Sequence, residues 1–509
     1  MKNKIILAAA STLLVISSCN DDILEKSTNP NQLTAETFYK TEAQANAAVI
    51  AIYAGLQSNN LYNREYFFLH DLLSDDCQSG GPQLEAPRGQ ILNHVFDASN
   101  PLVLAVWRGL YRIVHRANLV VDNVPLADEV LLPAAAKERF LAEARFLRAW
   151  AYFDLVSLWG RVPLMQNVAN EPADNLPRSG SEDEVYALVL EDLTFAMDKL
   201  PVSHTGIDLG RATKGAAQAL TARVHMFRGN YAAALPLLNE IITSNQYRLV
   251  DNFIDNFREE NEFNAESLFE VQFTEAFGDA GGWNADGTGI GEVTFRGQEY
   301  GPNAWRNVIP STGLVAEFER AANGAEKDDP RYSDSFYVVG DKFNNDLSTL
   351  TTTSVQGDVN KPSWKKYQTI YKRAQENTRS GINMRVIRYA DVLLMMAECE
   401  NELTGPAAAL PYINQVRARK SVQMPPYPTA QYPVGTKEQM FRAIVHERRV
   451  ELAGEQVRNR DIRRWRKQGK LTTEPIAGFQ VNKNELLPLP TEEIDNNSKI
   501  ENADQNPGY

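Results

Sequence analysis

The stretch from Glu438 to Arg466, EQMFRAIVHERRVELAGEQVRNRDIRRWR, constrains this chain more than any other, because it must meet two demands at once. Met440, Phe441, Ile444, Val445, Leu452 and Ala453 recur at helical spacing and form an apolar stripe. Glu447, Glu451 and Glu455 stand one turn apart, with Arg448, Arg458 and Asp461 among them. A charge run by itself reads as a solvated helix face. Here Ile462 and Trp465 follow Asp461 closely. The stretch therefore predicts a half-buried helix, interrupted only at Gly454, with its carboxylates and guanidinium groups paired inside the fold.

A chain of 509 residues can bury a large core, or two fused ones. Its net charge of −13, from 52 basic and 65 acidic residues, argues against a nucleic-acid backbone as partner. No internal segment is long and apolar enough to span a bilayer. Residues 1–18 read as a targeting segment, with Lys2 and Lys4 as a positive start and Ile5 to Ile16 as a short apolar run. Ile16-Ser17-Ser18-Cys19 resembles a bacterial lipobox, so Cys19 is expected to be lipidated and to become the mature N-terminus. Cys77 and Cys399 do not make a disulfide framework. Cys399 shares a helical apolar pattern with Val392, Met395 and Met396 and is expected to pack as a small hydrophobe.

Residues 19–34 read as anchor and tether, and residues 35–246 as an N-terminal helical region. Its expected long helices run from about Ala35 to Gln57, Leu102 to Asn123, Ala134 to Trp159 and Ser181 to Leu200. The last of these opens on a Ser-Glu-Asp-Glu capping pattern. Leu61 to Pro101 is expected to be irregular, because Gly80-Gly81-Pro82 and Ala86-Pro87 break its periodicity. Thr213 to Asn245 reads as two helices joined through Arg228-Gly229-Asn230-Tyr231, similar to one tetratricopeptide-type unit. Such units bury their faces only by stacking on neighbours. Met384–Leu403 with Ala407–Lys420 reads as another pair. Between them, residues 247–383 are rich in Gly, Asn and Asp, with short strand-like runs at Leu268–Phe273 and Ser335–Val339. Residues 384–509 complete the helical part, and the tail from Leu486 is expected to lie extended across it. The expected fold is mainly α: tetratricopeptide-like helix pairs with a loop-rich variable insertion containing short strands.

Motifs for catalysis are thin. His446-Glu447 lacks the second histidine of a zinc-protease helix, and Gly287–Gly291 has no preceding strand or following helix to make a nucleotide loop. Asn284 to Gly287 starts like a calcium loop but lacks the spaced ligands. The six histidines are scattered, so no metal and no cofactor is expected. A glycosidase carboxylate pair stays open, since its members meet in space rather than in sequence. Aromatic and amide side chains do stand out where helix periodicity fails. Trp283, Tyr300, Trp305, Trp364 and Tyr367 lie in the insertion, and Tyr62, Tyr66 and Phe67 precede the first long loop. Sugar rings pack their CH faces on aromatic planes and hydrogen-bond through their hydroxyls. Asp76, Gln78, Arg88, Asn303, Arg306 and Asn307 are candidate polar partners. Trp305 leads the aromatic candidates, lying between Gly301-Pro302-Asn303 and Ile309-Pro310.

Four segments carry a family resemblance: RYADVLLMMAECENEL (388–403), INQVRARK (413–420), ERRVELAGEQVRNRDIRRW (447–465) and LLPLPTEEIDNN to QNPGY (486–509). Together they resemble the SusD/RagB family of nutrient-binding outer-membrane lipoproteins. The acidic Asn20-Asp21-Asp22 after Cys19 is similar to the surface-export signal of Bacteroidetes lipoproteins. The resemblance implies a lipid-anchored, surface-facing protein of the outer membrane that captures an oligosaccharide without covalent chemistry. It implies as partner a SusC-like TonB-dependent transporter, and no nucleic acid. Two alternatives remain: a surface glycoside hydrolase, or a helix-repeat scaffold for protein interaction.

Overall fold

The computed structural model describes residues 38–276 and 292–509. Cys19, Trp283 and the Gly287–Gly291 stretch lie outside the described residues. In chain order the elements begin with α1 (Glu42–Leu56), α2 (Glu65–Leu72), β1 (Cys77–Ser79) and α3 (Ala86–Leu92). Five long helices follow: α4 (Pro101–Asn123), α5 (Ala134–Trp159), α6 (Glu182–Lys199), α7 (Lys214–Phe227) and α8 (Tyr231–Thr243). A segment of short pieces then runs β2 (Ser267–Val271), α9 (Arg296–Tyr300), β3 (Val308–Pro310), α10 (Thr312–Glu317) and α11 (Arg331–Ser335). It continues through β4 (Phe336–Tyr337), β5 (Lys342–Phe343), β6 (Ser348–Thr349), β7 (Ser363–Trp364) and β8 (Met384–Arg388). The chain closes on α12 (Tyr389–Leu403), α13 (Pro406–Arg417), α14 (Lys437–Glu451), α15 (Arg458–Lys467) and α16 (Thr491–Asn496).

The protein is mainly helical, and α4 to α8 pack each on the next as antiparallel hairpins, α8 then meeting α12. Local chemistry sets the helix starts. Ser181 Oγ accepts from Glu184 N, Thr213 Oγ1 from Ala216 N, and Thr436 with Gln439 forms a capping box. Three expectations need correction, at Leu61–Pro101, at Met384 and in the tail. Leu61 to Pro101 is not irregular throughout: Pro87 sits in the first turn of α3, where the N–H it lacks would have had no partner. The stretch expected to be helical from Met384 begins instead as strand β8, antiparallel to β2. Its β-branched Val386 and Ile387 are buried there beside Phe269. The tail lies over α5 through Leu487 N to Leu158 O (2.8 Å) and Trp159 Nε1 to Pro488 O (2.9 Å), but it also forms α16 rather than staying extended.

The Glu438–Arg466 stretch splits into α14 and α15 at Leu452–Val457, at the predicted Gly454. Gly454 has φ +72°, and a Cβ there would stand 2.8 Å from Cζ3 of Trp364. Backbone conformation and close approach both require glycine. Cys77 and Cys399 are buried free thiols.

The carboxylates of α14 are paired inside the fold, as their apolar neighbours predict. Glu447 accepts from Arg331 Nη1 at 2.5 Å and Arg417 Nη1 at 3.0 Å. Glu451 accepts from Arg331 (3.0 Å), Arg388 (2.7 Å) and Arg419 (2.7 Å). Arg388 continues to Glu455 and Glu266, while Arg448 joins Asp391 to Asp461. Arg388 of RYADV and Arg417 and Arg419 of VRARK thus reach Glu447 or Glu451 of ERRVE, and Arg448 reaches Asp391. Arg458 turns to Asp75, at 2.7 Å and 3.0 Å.

One histidine belongs to the same core. His446 Nδ1 stands 2.7 Å from Glu317 Oε1, Glu319 lies 3.4 Å from Nε2, and the Tyr432 ring stacks on the imidazole. Burial opposes its charge, but the Glu317 and Glu319 carboxylates outweigh that and raise its pKa to about 9. The folded state therefore holds a proton that the unfolded chain releases above pH ~6.5. Stability from this group is complete below that value and is lost as the pH rises towards 9. Melting curves from pH 6 upward should show a decline that His446→Gln flattens. An unchanged slope in the variant would remove His446 as its cause.

Candidate functional site

Trp305 stands on a loop that the surrounding chain pins from behind. Its own N–H donates to Gln298 O at the end of α9 (3.0 Å), and Asn307 N donates to Glu299 O (2.8 Å). Between them Arg306 takes φ +51° and buries its guanidinium completely. That fork donates to Ser363 Oγ (2.7 Å), Gln356 O (2.5 Å) and Lys361 O (2.7 Å). Gly80 N donates to Asn307 O (3.0 Å), extending the pairing of β1 with β3. A Cβ on Gly80 would stand 1.7 Å from Arg306 O, so the two backbones meet only because this residue is glycine. Gln83 Nε2 then clasps the carbonyls of Trp305 (3.0 Å) and Arg306 (3.2 Å).

The result is an open cleft of about 650 Å³, lined by Gln83, Glu85, Gln298, Asn303, Trp305 and Gln356, with Ala304 and Asn307 completing the wall. The Trp305 indole is 39 % exposed beside it. Asn303 Nδ2 donates to Ala374 O (3.0 Å), while its Oδ1 has no partner among the described residues. The lining carries five amide side chains and a single carboxylate, Glu85. Burial works against the Glu85 charge, but Arg88 and Arg64 offset it and hold the carboxyl below the usual glutamate range. Such a surface offers an apolar plane beside amide groups, with the Asn303, Asn307 and Gln83 NH2 groups already bonded within the protein and a single carboxylate at the wall.

Of the residues proposed from sequence, Trp305, Asn303 and Asn307 meet at this cleft. Of the others, Trp283 lies outside the described residues, and the rest are buried or part-buried away from the open face of the cleft. Tyr300 is fully buried, edge-on to Phe67 and Phe68, with its hydroxyl 3.1 Å from Asp71 Oδ2. Trp364 is fully buried between Phe336 and Gly454 and has no face free for a sugar ring. Arg306 spends its guanidinium on backbone and Ser363, as above. Arg88 lies over the Phe68 ring, 3.9 Å from its centroid, and pairs with Glu65 at 3.0 Å. Asp76 is paired with Arg449 Nε at 2.8 Å. Tyr62, Tyr66, Phe67 and Tyr367 are likewise core residues, and Gln78 bonds Pro310 O across the β1–β3 pair. These five candidates, Tyr300, Trp364, Arg306, Arg88 and Asp76, build the support of the loop rather than its accessible face. Gln83, Gln298 and Gln356 escaped the sequence reading. Gln83 and Gln356 come from two separate loops and Gln298 from α9, and nothing in their local sequence marks them as neighbours.

A profile described as the SusD family matches residues 265–509, and one described as starch-binding and associating with the outer membrane matches residues 22–226. A SusD-like protein, P25, of Formosa agariphila is 30 % identical over 494 residues, covering 91 % of this chain and 90 % of its own. A solved laminarin-binding SusD-like protein superposes with a TM-score of 0.76 at 26 % identity, over 92 % of this chain and all of its own. A SusD superfamily protein from Bacteroides vulgatus superposes with a TM-score of 0.77 at 24 % identity, over 93 % of this chain and 100 % of the other.

Proposed function

This chain belongs to the SusD family, and from that membership we propose that it captures a neutral oligosaccharide in the Trp305 cleft. The observation that carries the reading is one exposed indole beside an almost uncharged, amide-rich wall. An indole plane suits the CH face of a pyranose, and amides serve hydroxyls as both donor and acceptor. A uronic acid or sulfated sugar would find no free cation there. The laminarin bound by a relative and the starch in the family description are both neutral glucans, which supports the same class. The work done is binding and hand-over. A glycosidase needs two carboxyl groups flanking the bond, and among the described residues this wall offers only Glu85, which Arg64 and Arg88 hold. The hand-over partner in this proposal is a SusC-like TonB-dependent transporter of the outer membrane.

Calorimetry with laminari- and malto-oligosaccharides, and with a polyuronate, tests the reading. One of the neutral series should bind and the polyuronate should not. Trp305→Ala should lower that affinity about tenfold or more, the loss of a central aromatic contact. Its melting temperature should hardly move, because the indole is not part of the packed core. Lost stability with unchanged affinity per folded molecule would end the role of Trp305.

The same proposal places the protein on the cell surface through a lipid on Cys19. Several acyl chains make such an anchor stable where a single chain does not. Mass spectrometry of protein taken from its native membrane should find a chain that starts at Cys19 and carries added lipid. A mature chain starting elsewhere, without lipid, would exclude this anchor.

A further inference from the structure

Two turns close the same end of the helical layer. Residues 124–133 join α4 to α5, and residues 200–213 join α6 to α7. Lys137, at the start of α5, bonds the carbonyl of Ala127 in the first turn. Lys199, at the end of α6, pairs with Glu138 at 3.1 Å. Arg139 reaches Asp208 in the second turn (3.9 Å) and Glu42 at the start of α1 (3.6 Å). The chain therefore enters the folded body, through Phe38 to Thr41, at this same end.

These turns expose aliphatic side chains that the rest of the layer hides. Leu126, Val130 and Leu131 project from the first, and Val202, Ile207 and Leu209 from the second, each between 44 % and 101 % exposed. Single exposed apolar residues are ordinary, but six of them on two adjoining turns call for a partner surface. The turns are built to hold them outward. Asp128 Oδ1 accepts from Val130 N (2.8 Å), Asp128 O takes Leu131 N and Leu132 N, and Val124, Ala127 and Leu132 pack inward. Among the described residues no helix is long and apolar enough to cross a membrane, so any lipid contact here is peripheral.

We propose that this end of the helical layer is a lipid-docking surface, on which Leu126, Val130, Leu131, Val202, Ile207 and Leu209 enter the headgroup zone of the membrane that holds the chain. The inference rests on the Cys19 anchor proposed above. From Cys19 to Phe38 the chain can reach at most about 65 Å, even fully extended. A tether of that reach keeps the body at an effective concentration on the order of millimolar against its membrane. Weak apolar contacts, too few to bind a free protein, are then populated. Charge at this end is mixed: Glu42 and Asp208 face Arg139, Glu138 and Asp198 pair with Lys199, and Lys137 bonds the first turn. The surface therefore suits a zwitterionic headgroup rather than a strongly anionic one.

The test uses vesicles of phosphatidylcholine and phosphatidylethanolamine with a spin-labelled lipid as quencher. The chain from residue 20 onward is held on them by an N-terminal hexahistidine and a metal-chelating lipid, and the native lipidated protein is measured beside it. Val130→Cys and Ile207→Cys carry a fluorophore, and Ala173→Cys, on the exposed α5–α6 turn at the opposite end, is the control. Cys77 and Cys399 are buried and stay unlabelled. Positions 130 and 207 should be quenched several-fold and position 173 should not. Leu131→Asp with Ile207→Asp should reduce quenching at position 130 about tenfold in contact population and leave the melting curve in place. Equal quenching at all three positions, or none at 130 and 207, overturns the inference. So does quenching that appears only after outer-membrane proteins are added, which would assign this end to a protein partner. A native chain without lipid at Cys19 removes its premise. Oligosaccharide affinity is read in solution on the same variants, so a protein that binds sugar without docking fails this inference alone.

Discussion

Glu451→Ala should destabilise the protein by about 3–5 kcal/mol, the cost of breaking a buried ion pair by removing one partner. Glu451 is fully buried and faces Arg331, Arg388 and Arg419, each within 3.0 Å and none more than 2 % exposed. Those three guanidinium groups hold its carboxyl far below the usual glutamate range, despite burial that acts in the opposite direction. Removing it leaves Arg331 to Asp329 and Glu447, Arg388 to Glu455 and Glu266, and Arg419 to Glu266 alone, with less compensation for the three charges. A cooperative chain this long has an unfolding entropy near 1 kcal/mol/K, so the melting temperature should fall by about one degree per kcal/mol. Several degrees is the expected loss. Glu451→Gln, which keeps the shape and one acceptor oxygen, should lie between the variant and the parent. The exposed pair of Lys420 with Asp251 provides the contrast, and Asp251→Ala should fall within measurement error. A Glu451→Ala melting curve that overlays the parent would show that the arginines repair the site among themselves. Because the carboxylate is stabilised in the folded state, its contribution is present above the unfolded glutamate value and is lost as the pH falls below it.

The second large effect is expected from Trp364→Ala. The indole fills the space between Phe336, whose ring centroid is 5.6 Å away, and Gly454, which has no room for a Cβ. Truncating a buried Trp leaves a cavity that its neighbours only partly close, at a cost of about 3–5 kcal/mol. Trp364 is also where β7 meets β4 and where the break between α14 and α15 comes to rest. Trp364→Phe should recover much of the loss. Sugar affinity per folded molecule should not change in either variant, the reverse of what Trp305→Ala should do. If Trp364→Ala kept its stability and lost affinity, the assignments of these two tryptophans would have to be exchanged.

Helices were legible because their signals are local. Ala134 to Trp159 was readable as one helix from its periodicity, and Ser181 announced the start of α6 through the bond it makes three residues on. Gly454 marked the break between α14 and α15, since it is the one glycine in that stretch, and it takes φ +72° there. The α3 helix was missed because Pro87 reads as a breaker until its place in the first turn is known. Strand β8 was missed because a buried apolar run of five residues has no periodicity that tells strand from helix.

What the sequence determined by itself is therefore the helical scaffold, the family motifs and the burial of Glu447 and Glu451, each carried by residues within a turn or two of one another. What only the tertiary structure decided is which groups meet. Glu451 finds its arginines 32, 63 and 120 residues away, in the loop after α13, on β8 and on α11. Trp305 and Trp364 look alike along the chain, both in a segment without helix periodicity and both among polar neighbours. One is exposed at a cleft and the other is sealed in the core. The difference comes from Gly80, Gln83 and Arg306, which press one loop outward from behind, and from Gly454, which opens a socket for the other indole. Exposure is set by the sum of everything that packs around a side chain, and those contributors are distant in sequence.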